Sequence, residues 1–178
     1  MDSGARPEIV SASEWGAAPP LRPLAARGPL DHLVVHHTAF PSSRVARTRA
    51  SESAHLREIQ RWHRERGFST IGYHFVVSPT GRIFRGRPVD RQGAHVRAHN
   101  VGTIGIALMG DFELERATAA ALASLDFVRR ELVPGGADVP LLGHREHDGH
   151  ESNACPGRFL AEATRARRAP GPRVVSAD

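Results

Sequence analysis

The chain contains the run Leu33–Thr38 (LVVHHT), and this run decides the fold. Its first three residues are apolar and include two β-branched valines, which favour a buried strand. Polar residues follow at once, so two histidines lie where the strand ends. The run therefore predicts a sheet protein that carries chemically useful side chains at one end of a buried strand.

Further regular elements are predicted after this strand. Leu56, Ile59 and His63 recur at i, i+3 and i+7, which is the spacing of one helix face. Thr118 suits the N-cap of a second helix, and Pro156 suits the first residue of a third. The full prediction comprises helices at 47–66, 118–133 and 156–167 and strands at 73–77, 82–84, 103–109 and 139–142. This mixture predicts an α/β or α+β fold with helices packed on a sheet.

Length and composition indicate a single domain with loose ends. The 178 residues are enough for one hydrophobic core. Residues 1–30 are rich in Pro, Gly and Ala and predict an extended N-terminal arm that Trp15 anchors on the core. Residues 169–178 predict a flexible tail. The single cysteine excludes an internal disulfide bond.

The charge pattern argues against several classes of partner. All 24 basic residues are arginine, they are scattered along the chain, and the net charge is only +5. A specific nucleic-acid binder concentrates such charge on one face. No apolar run approaches the roughly 20 residues that span a bilayer, and the first residues lack the pattern of a signal peptide. We expect no specific nucleic-acid partner, no membrane span and synthesis in the cytoplasm.

Three residues are candidate metal ligands. His36 ends the first strand, His144 follows the last strand, and Cys155 precedes the last helix. Two imidazoles and a thiolate suit zinc, and three protein ligands leave one tetrahedral position open, as in catalytic sites. The helix N-terminus would also favour the thiolate. Because the chain has no HExxH or paired CxxC motif, the alternative of core histidines and a packed cysteine stays open on spacing alone.

Seven short motifs, in order, resemble the peptidoglycan recognition protein family, which is related to the amidase-type phage lysozymes. The resemblance covers roughly residues 9–161 and implies a central mixed β-sheet flanked by about three helices, with Zn²⁺ in a cleft on one side. It implies an amidase domain at 31–168 that hydrolyses the amide between N-acetylmuramic acid and L-alanine in peptidoglycan. The motifs are Ser13–Ala17 (SEWGA), Val34–Ala39 (VVHHTA), Ile71–Phe75 (IGYHF), Gly93–His95 (GAH), Asn100 with Ile104–Ile106 (IGI), Gly143–Arg145 (GHR) and Cys155–Gly157 (CPG).

The resemblance also assigns roles. It makes the first histidine of the His-His pair the ligand, and strand alternation agrees that only one of the two can face the cleft. Tyr73 is implied to be catalytic and to donate a hydrogen bond to the developing oxyanion. Family members without the cysteine are typically binders, so the cysteine favours an enzyme. The implied metal ligands are His36, His144 and Cys155, and the implied substrate-binding residues are His37, His95 and Asn100.

This chain departs from the family pattern near the cysteine. The family's gap between the second histidine and the cysteine is about eight residues, whereas His144 and Cys155 are eleven apart. His147 is therefore an alternative ligand on spacing, and His150 a weaker one. Related enzymes have lysine or threonine two residues before the cysteine, where this chain has Asn153, an amide that can only assist catalysis by hydrogen bonding.

Two other functions remain open. A peptidoglycan-binding recognition module would share the fold without cutting, and a cytosolic enzyme of wall recycling would typically have aspartate at the third ligand position. We expect a monomer that reaches the cell wall after release, as a phage endolysin does, or by a non-classical secretion route.

Overall fold

The fold is built on a six-stranded sheet in the computed structural model, which describes residues 6–168. The strands lie in the order β1-β4-β3-β5-β2-β6. They are β1 (Ile9–Val10), β2 (His32–His37), β3 (Phe75–Val77), β4 (Ile83–Arg85), β5 (Thr103–Leu108) and β6 (Leu141–Gly143).

The sheet is mixed, as the resemblance implied. The predicted hairpin forms the antiparallel pair β3–β4, while β2 runs parallel to both β5 and β6. In this register Val35 lies opposite Ile106 on one side and Gly143 on the other. Because parallel strands begin and end at the same edges of a sheet, the C-terminal ends of β2 and β6 meet.

Three helices cover the two faces of the sheet: α1 (Arg49–Glu65), α2 (Ala119–Phe127) and α3 (Arg158–Ala166). Leu125 of α2 and Leu160 of α3 belong to the apolar core on one face. Leu56 of α1 belongs to a second core on the other face together with Trp15. Trp15 is fully buried, and its indole N–H donates to the carbonyl of Arg85 at 2.7 Å. The tryptophan therefore attaches the chain before β2 to this core. The predicted α/β fold class is confirmed.

The start of α3, the end of α2 and one additional strand are the main departures from the sequence prediction. The third helix begins at Arg158 and not at Pro156, because Gly157 has φ +90° and breaks the helical conformation. The second helix ends at Phe127 and continues as one π-helical turn to Leu132. Strand β1 was not predicted, since two residues are too few to show a period. The predicted flexible tail at 169–178 lies outside the described residues.

His74 fixes the centre of the sheet and gives the fold a pH dependence. It is fully buried: the N–H of Gly105 donates to its Nδ1 at 3.0 Å, and its Nε2–H donates to the carbonyl of Arg91 at 2.8 Å. Burial lowers the pKa of His74 from 6.5 to about 4. Between these pH values His74 is protonated in the unfolded chain but not in the folded protein. The stability that neutral His74 contributes is therefore lost as the pH falls from 6.5 to 4.

We expect this one residue to lower the free energy of unfolding by roughly 3 kcal/mol between pH 6.5 and pH 4, at 1.36 kcal/mol for each unit of pKa shift. Urea denaturation at several pH values should show a shallower pH slope for His74→Asn than for the unmodified chain. An NMR titration of the unmodified protein is the direct control. Protonation of His74 near pH 6.5 would contradict the prediction.

Candidate metal centre and cleft

Three side chains converge at the edge where β2 and β6 end. His36 lies near the end of β2, His144 opens the short 3₁₀ turn after β6, and Cys155 lies three residues before α3. One ligand atom from each lies within 4.8 Å of the other two. Nδ1 of His36 and Sγ of Cys155 are 3.5 Å apart. We call these three residues the donor cluster.

The donor cluster lies in a cleft of about 670 Å³ between α1 and the sheet. Strand alternation directs His36 to the face of the sheet that α1 covers. His63 of α1 contacts Tyr73 edge to face in the wall of the cleft, with ring centroids 5.3 Å apart. All the candidate site residues of the sequence analysis border this cleft: His36, His37, Tyr73, His95, Asn100, His144, Asn153 and Cys155. The structure brings them together, and their individual roles stay predictions.

His36 has a defined outer contact. Its Nε2 lies 3.1 Å from Nδ1 of His95, and Nε2 of His95 lies 3.4 Å from the hydroxyl of Thr103. That hydroxyl donates to backbone carbonyls, so its oxygen accepts the Nε2–H of His95. Nδ1 of His95 then accepts the Nε2–H of His36. The free lone pair of His36 is therefore on Nδ1, the atom that faces Cys155.

Two glycines make room for this contact. A Cβ atom on Gly105 of β5 would lie 2.6 Å from the His95 ring, and one on Gly93 would lie 2.3 Å from it. His95 is 9% exposed and lies behind His36. The geometry therefore gives His95 a contact with a candidate ligand in addition to the substrate contact predicted for it.

The imidazoles of His36, His95 and His144 favour the neutral form. Burial lowers the pKa of His36 and His95 well below 6.5, and burial with the neighbouring His150 lowers the pKa of His144 to about 4. Neutral imidazole is the form that binds metal ions. The two histidines, the thiol and the orientation of Nδ1 in His36 together fit a zinc ion.

The prediction that the helix N-terminus favours the thiolate form of Cys155 is wrong, because the thiol keeps its proton at neutral pH. Helix α3 starts three residues after Cys155, so its N-terminus does not act directly on the sulfur. Burial raises the pKa of the Cys155 thiol to about 12, although the N–H of His37 donates to Sγ at 3.4 Å. A bound cation would be needed to hold the sulfur as thiolate.

Tyr73 lines the cleft beside His36. Its ring centroid lies 5.2 Å from that of His36. Burial raises the pKa of the phenol above its ordinary value of 10, so the hydroxyl keeps its proton at any physiological pH.

The polar residues at the rim are held by the backbone. Nδ1 of His37 accepts the N–H of Phe112 at 3.3 Å, on the face of the sheet opposite His36. Oδ1 of Asn100 accepts the N–H groups of His95 and Val96, which fixes their loop. These two bonds give Asn100 a structural role in its loop, and its substrate contact stays a prediction.

The side-chain amide of Asn153 has one group engaged by the backbone and one group available to a substrate. Its Oδ1 accepts the N–H of Cys155 at 2.9 Å, which fixes the backbone of the cysteine. The amide NH₂ is the group that remains available to a substrate.

The structure separates the two alternative second ligands. His147 donates its Nδ1–H to the carbonyl of His144 at 3.0 Å, and its Nε2 lies 2.8 Å from Nε2 of His32. Both ring nitrogens of His147 are therefore engaged by residues outside the donor cluster or by the backbone, whereas the side chain of His144 belongs to the cluster.

Sequence reasoning missed several residues of the cleft. Arg66 and Arg97 border it with exposed cationic side chains, and Phe68 adds an apolar wall. His150, considered only as a weak alternative ligand, contacts His144. Helix periodicity placed His63 on the buried face of α1 but gave no indication that this face borders a cleft.

Known proteins resemble the chain over most of its length. The profile of the N-acetylmuramoyl-L-alanine amidase family matches residues 26–158. The human N-acetylmuramoyl-L-alanine amidase is 35% identical over 170 residues, which cover 89% of this chain and 28% of the human protein. The chain thus spans little more than a quarter of that relative's length.

Solved structures show the same fold. A variant of the Drosophila peptidoglycan recognition protein LB, in complex with tracheal cytotoxin, superposes with a TM-score of 0.76 at 31% identity, covering 86% of this chain and 90% of that one. The amidase LysC of Clostridium intestinale superposes with a TM-score of 0.71 at 28% identity, covering 90% of this chain and 97% of that one. In the described part of this chain no helix has the length and apolar character to cross a membrane.

The family profile, the human relative and the superposed structures agree. The chain belongs to the N-acetylmuramoyl-L-alanine amidase family, whose fold it shares with the peptidoglycan recognition proteins.

Proposed function

We propose that this protein is a zinc-dependent hydrolase of the amide bond between N-acetylmuramic acid and L-alanine in peptidoglycan. The observation that carries the proposal is the convergence of His36, His144 and Cys155 within 4.8 Å at the floor of a cleft. Three protein ligands in the lining of a cleft are typical of catalytic zinc sites, whereas structural sites have four protein ligands. A recognition module without hydrolysis would not need this donor cluster.

The chain's own residues contribute binding and charge stabilisation. When bound, zinc lowers the pKa of a coordinated water and polarises the carbonyl of the scissile amide. Tyr73 donates its hydroxyl proton in a hydrogen bond to the carbonyl oxygen as negative charge develops there. The NH₂ group of Asn153 supplies a second, weaker donor at the rim.

The rim of the cleft suits an anionic glycopeptide. Stem peptides carry free carboxylates, and the guanidinium groups of Arg66 and Arg97 border the cleft in exposed positions. A guanidinium binds a carboxylate through two parallel hydrogen bonds. Tracheal cytotoxin bound to the Drosophila relative supports a muramyl peptide as the ligand of this cleft.

Product analysis tests the proposal. Purified protein incubated with peptidoglycan should expose new L-alanine amino groups without new reducing sugar ends, a chelator should abolish this release, and added Zn²⁺ should restore it. New reducing ends would indicate a glycosidase instead. Binding to peptidoglycan without either product would favour the recognition module.

The biological setting is a further part of the proposal. An endolysin that reaches the wall after its release from the cytoplasm, or an enzyme secreted by a non-classical route, fits a wall-cutting domain, and the expected monomer is compatible with either setting. Lysis of a bacterial culture from outside, after addition of the purified protein, would test bacteriolytic activity separately from bond specificity.

A further inference from the structure

We infer that His150 is a positioning residue that fixes the tautomer and orientation of His144 in the donor cluster. His150 belongs to the segment of residues 146–153, which makes the spacing between His144 and Cys155 longer than the family pattern. This inference rests on the zinc site proposed above and assigns a function to that segment. It concerns a residue outside the donor cluster.

The hydrogen bonds of His150 determine where its proton lies. Nε2 of His150 lies 3.0 Å from the backbone carbonyl of Arg97, and Nδ1 lies 3.1 Å from Nε2 of His144. A carbonyl only accepts, so Nε2 of His150 carries a proton, and in the neutral form of the ring this tautomer leaves the lone pair on Nδ1. That lone pair accepts the Nε2–H of His144.

The consequence for His144 is a single tautomer. With its proton on Nε2, the lone pair of His144 is on Nδ1, which becomes the ligand atom. The contact of His95 with His36 selects the same tautomer on the other side of the cluster. In both cases a second imidazole occupies the place where a metal-binding histidine usually meets a carboxylate or a carbonyl.

The 146–153 segment is built to hold His150. The N–H of His150 donates to the carbonyl of His147 at 2.9 Å, and the N–H of Asn153 donates to the carbonyl of His150 at 2.9 Å. His147 is itself held by the carbonyl of His144. These successive bonds fix the backbone on both sides of His150 and link the segment to His144.

His150 is unsuited to be a ligand in this arrangement, because both of its ring nitrogens are engaged. A ligand role and a positioning role also predict different losses on substitution. Removal of an outer partner typically weakens metal binding by about 10–100-fold. We therefore expect His150→Ala to raise the dissociation constant for Zn²⁺ by about 10–100-fold.

The experiment measures Zn²⁺ affinity by competition with a chromophoric chelator, without substrate. His150→Asn should recover part of the affinity, because an amide oxygen can accept from His144 near the position of the lost Nδ1. Glu151→Ala is the matched control. This substitution removes the hydrogen bond that Glu151 accepts from the N–H of Gly149 within the same segment and leaves the bond between His150 and His144 in place, so the affinity of this variant for Zn²⁺ should stay at the wild-type value.

A second measurement needs no metal. Nitrogen-15 NMR of the imidazoles in the metal-free protein should show His144 with its proton on Nε2, and a mixture of tautomers in His150→Ala. A proton on Nδ1 of His144 in the unmodified protein would overturn the inference, even if the variant does not fold.

Unchanged affinity in His150→Ala would also overturn it. So would a loss far beyond the expected range that His150→Asn does not relieve, because that result would make His150 a ligand. Failure of the proposed function is recognised separately, since the unmodified protein would then bind no Zn²⁺ or release no L-alanine amino groups.

Discussion

Replacing Cys155 by serine is expected to reduce the release of L-alanine amino groups from peptidoglycan by about 10³-fold or more. A metal contributes several kcal/mol of transition-state stabilisation in such reactions, and each 1.36 kcal/mol is a factor of ten in rate. Serine is nearly isosteric but has a hard, weakly acidic oxygen in place of a soft sulfur, so it does not complete a zinc site with His36 and His144. Turnover and bound zinc should be lost together.

The fold should survive this substitution. Sγ of Cys155 accepts the N–H of His37 and lies 3.5 Å from Nδ1 of His36, and a serine hydroxyl can make both of these contacts. Binding of a muramyl peptide to the cleft should therefore persist in Cys155→Ser, as measured by calorimetry. Full hydrolytic activity in a correctly folded Cys155→Ser protein would show that the sulfur is not part of the catalytic machinery.

Tyr73→Phe is expected to lower kcat by about 10²–10³-fold, the usual effect of removing one donor to a developing oxyanion. The hydroxyl is the only group removed, and the ring keeps its contacts with His36 and His63. Zn²⁺ content and the free energy of unfolding should therefore stay close to the wild-type values. Because the interaction forms in the transition state, kcat and kcat/KM should fall by similar factors.

Two outcomes would contradict this assignment. Unchanged kcat in Tyr73→Phe would make the tyrosine a packing residue of the cleft wall. A rise in KM with unchanged kcat would make it a substrate-binding residue instead. Zinc analysis of the same preparation excludes the possibility that the variant has lost metal.

The sequence predicted those parts of the fold that depend on local patterns. The β-branched run before His36 predicted strand β2, and helical spacing around Leu56 predicted α1 within two residues at each end. Turn residues predicted the β3–β4 hairpin. Each of these signals is contained in a few neighbouring residues, which is why it could be recognised without knowledge of the tertiary structure.

The donor cluster could not be derived from spacing. Cys155 and His36 are 119 residues apart. The parallel pairing of β2 and β6 brings His36 near His144, and the N–H of Arg145 donates to the carbonyl of Cys155, which brings the cysteine to the same end of the sheet. The resemblance to a family supplied what local patterns lacked. It did not supply the contact between His144 and His150, because the segment that carries His150 is longer here than in the family pattern.

Other features depend on burial, which the sequence does not show. The high pKa of Cys155 follows from its enclosure, and it reverses the expectation based on a helix N-terminus. The start of α3 depends on the φ angle of Gly157, whereas the favourable position of Pro156 pointed two residues too early. In both cases a local preference was overridden by the surrounding structure.

Because Gly105 has no side chain, the residues of the neighbouring loop can pack directly against β5. One methyl group at this position would strike the ring of His95, which is the neighbour of His36. A mutation in a residue with no chemistry of its own would thus disturb a candidate ligand through one intermediate ring. For anyone redesigning this scaffold, the identity of position 105 is as constrained as that of the histidines themselves.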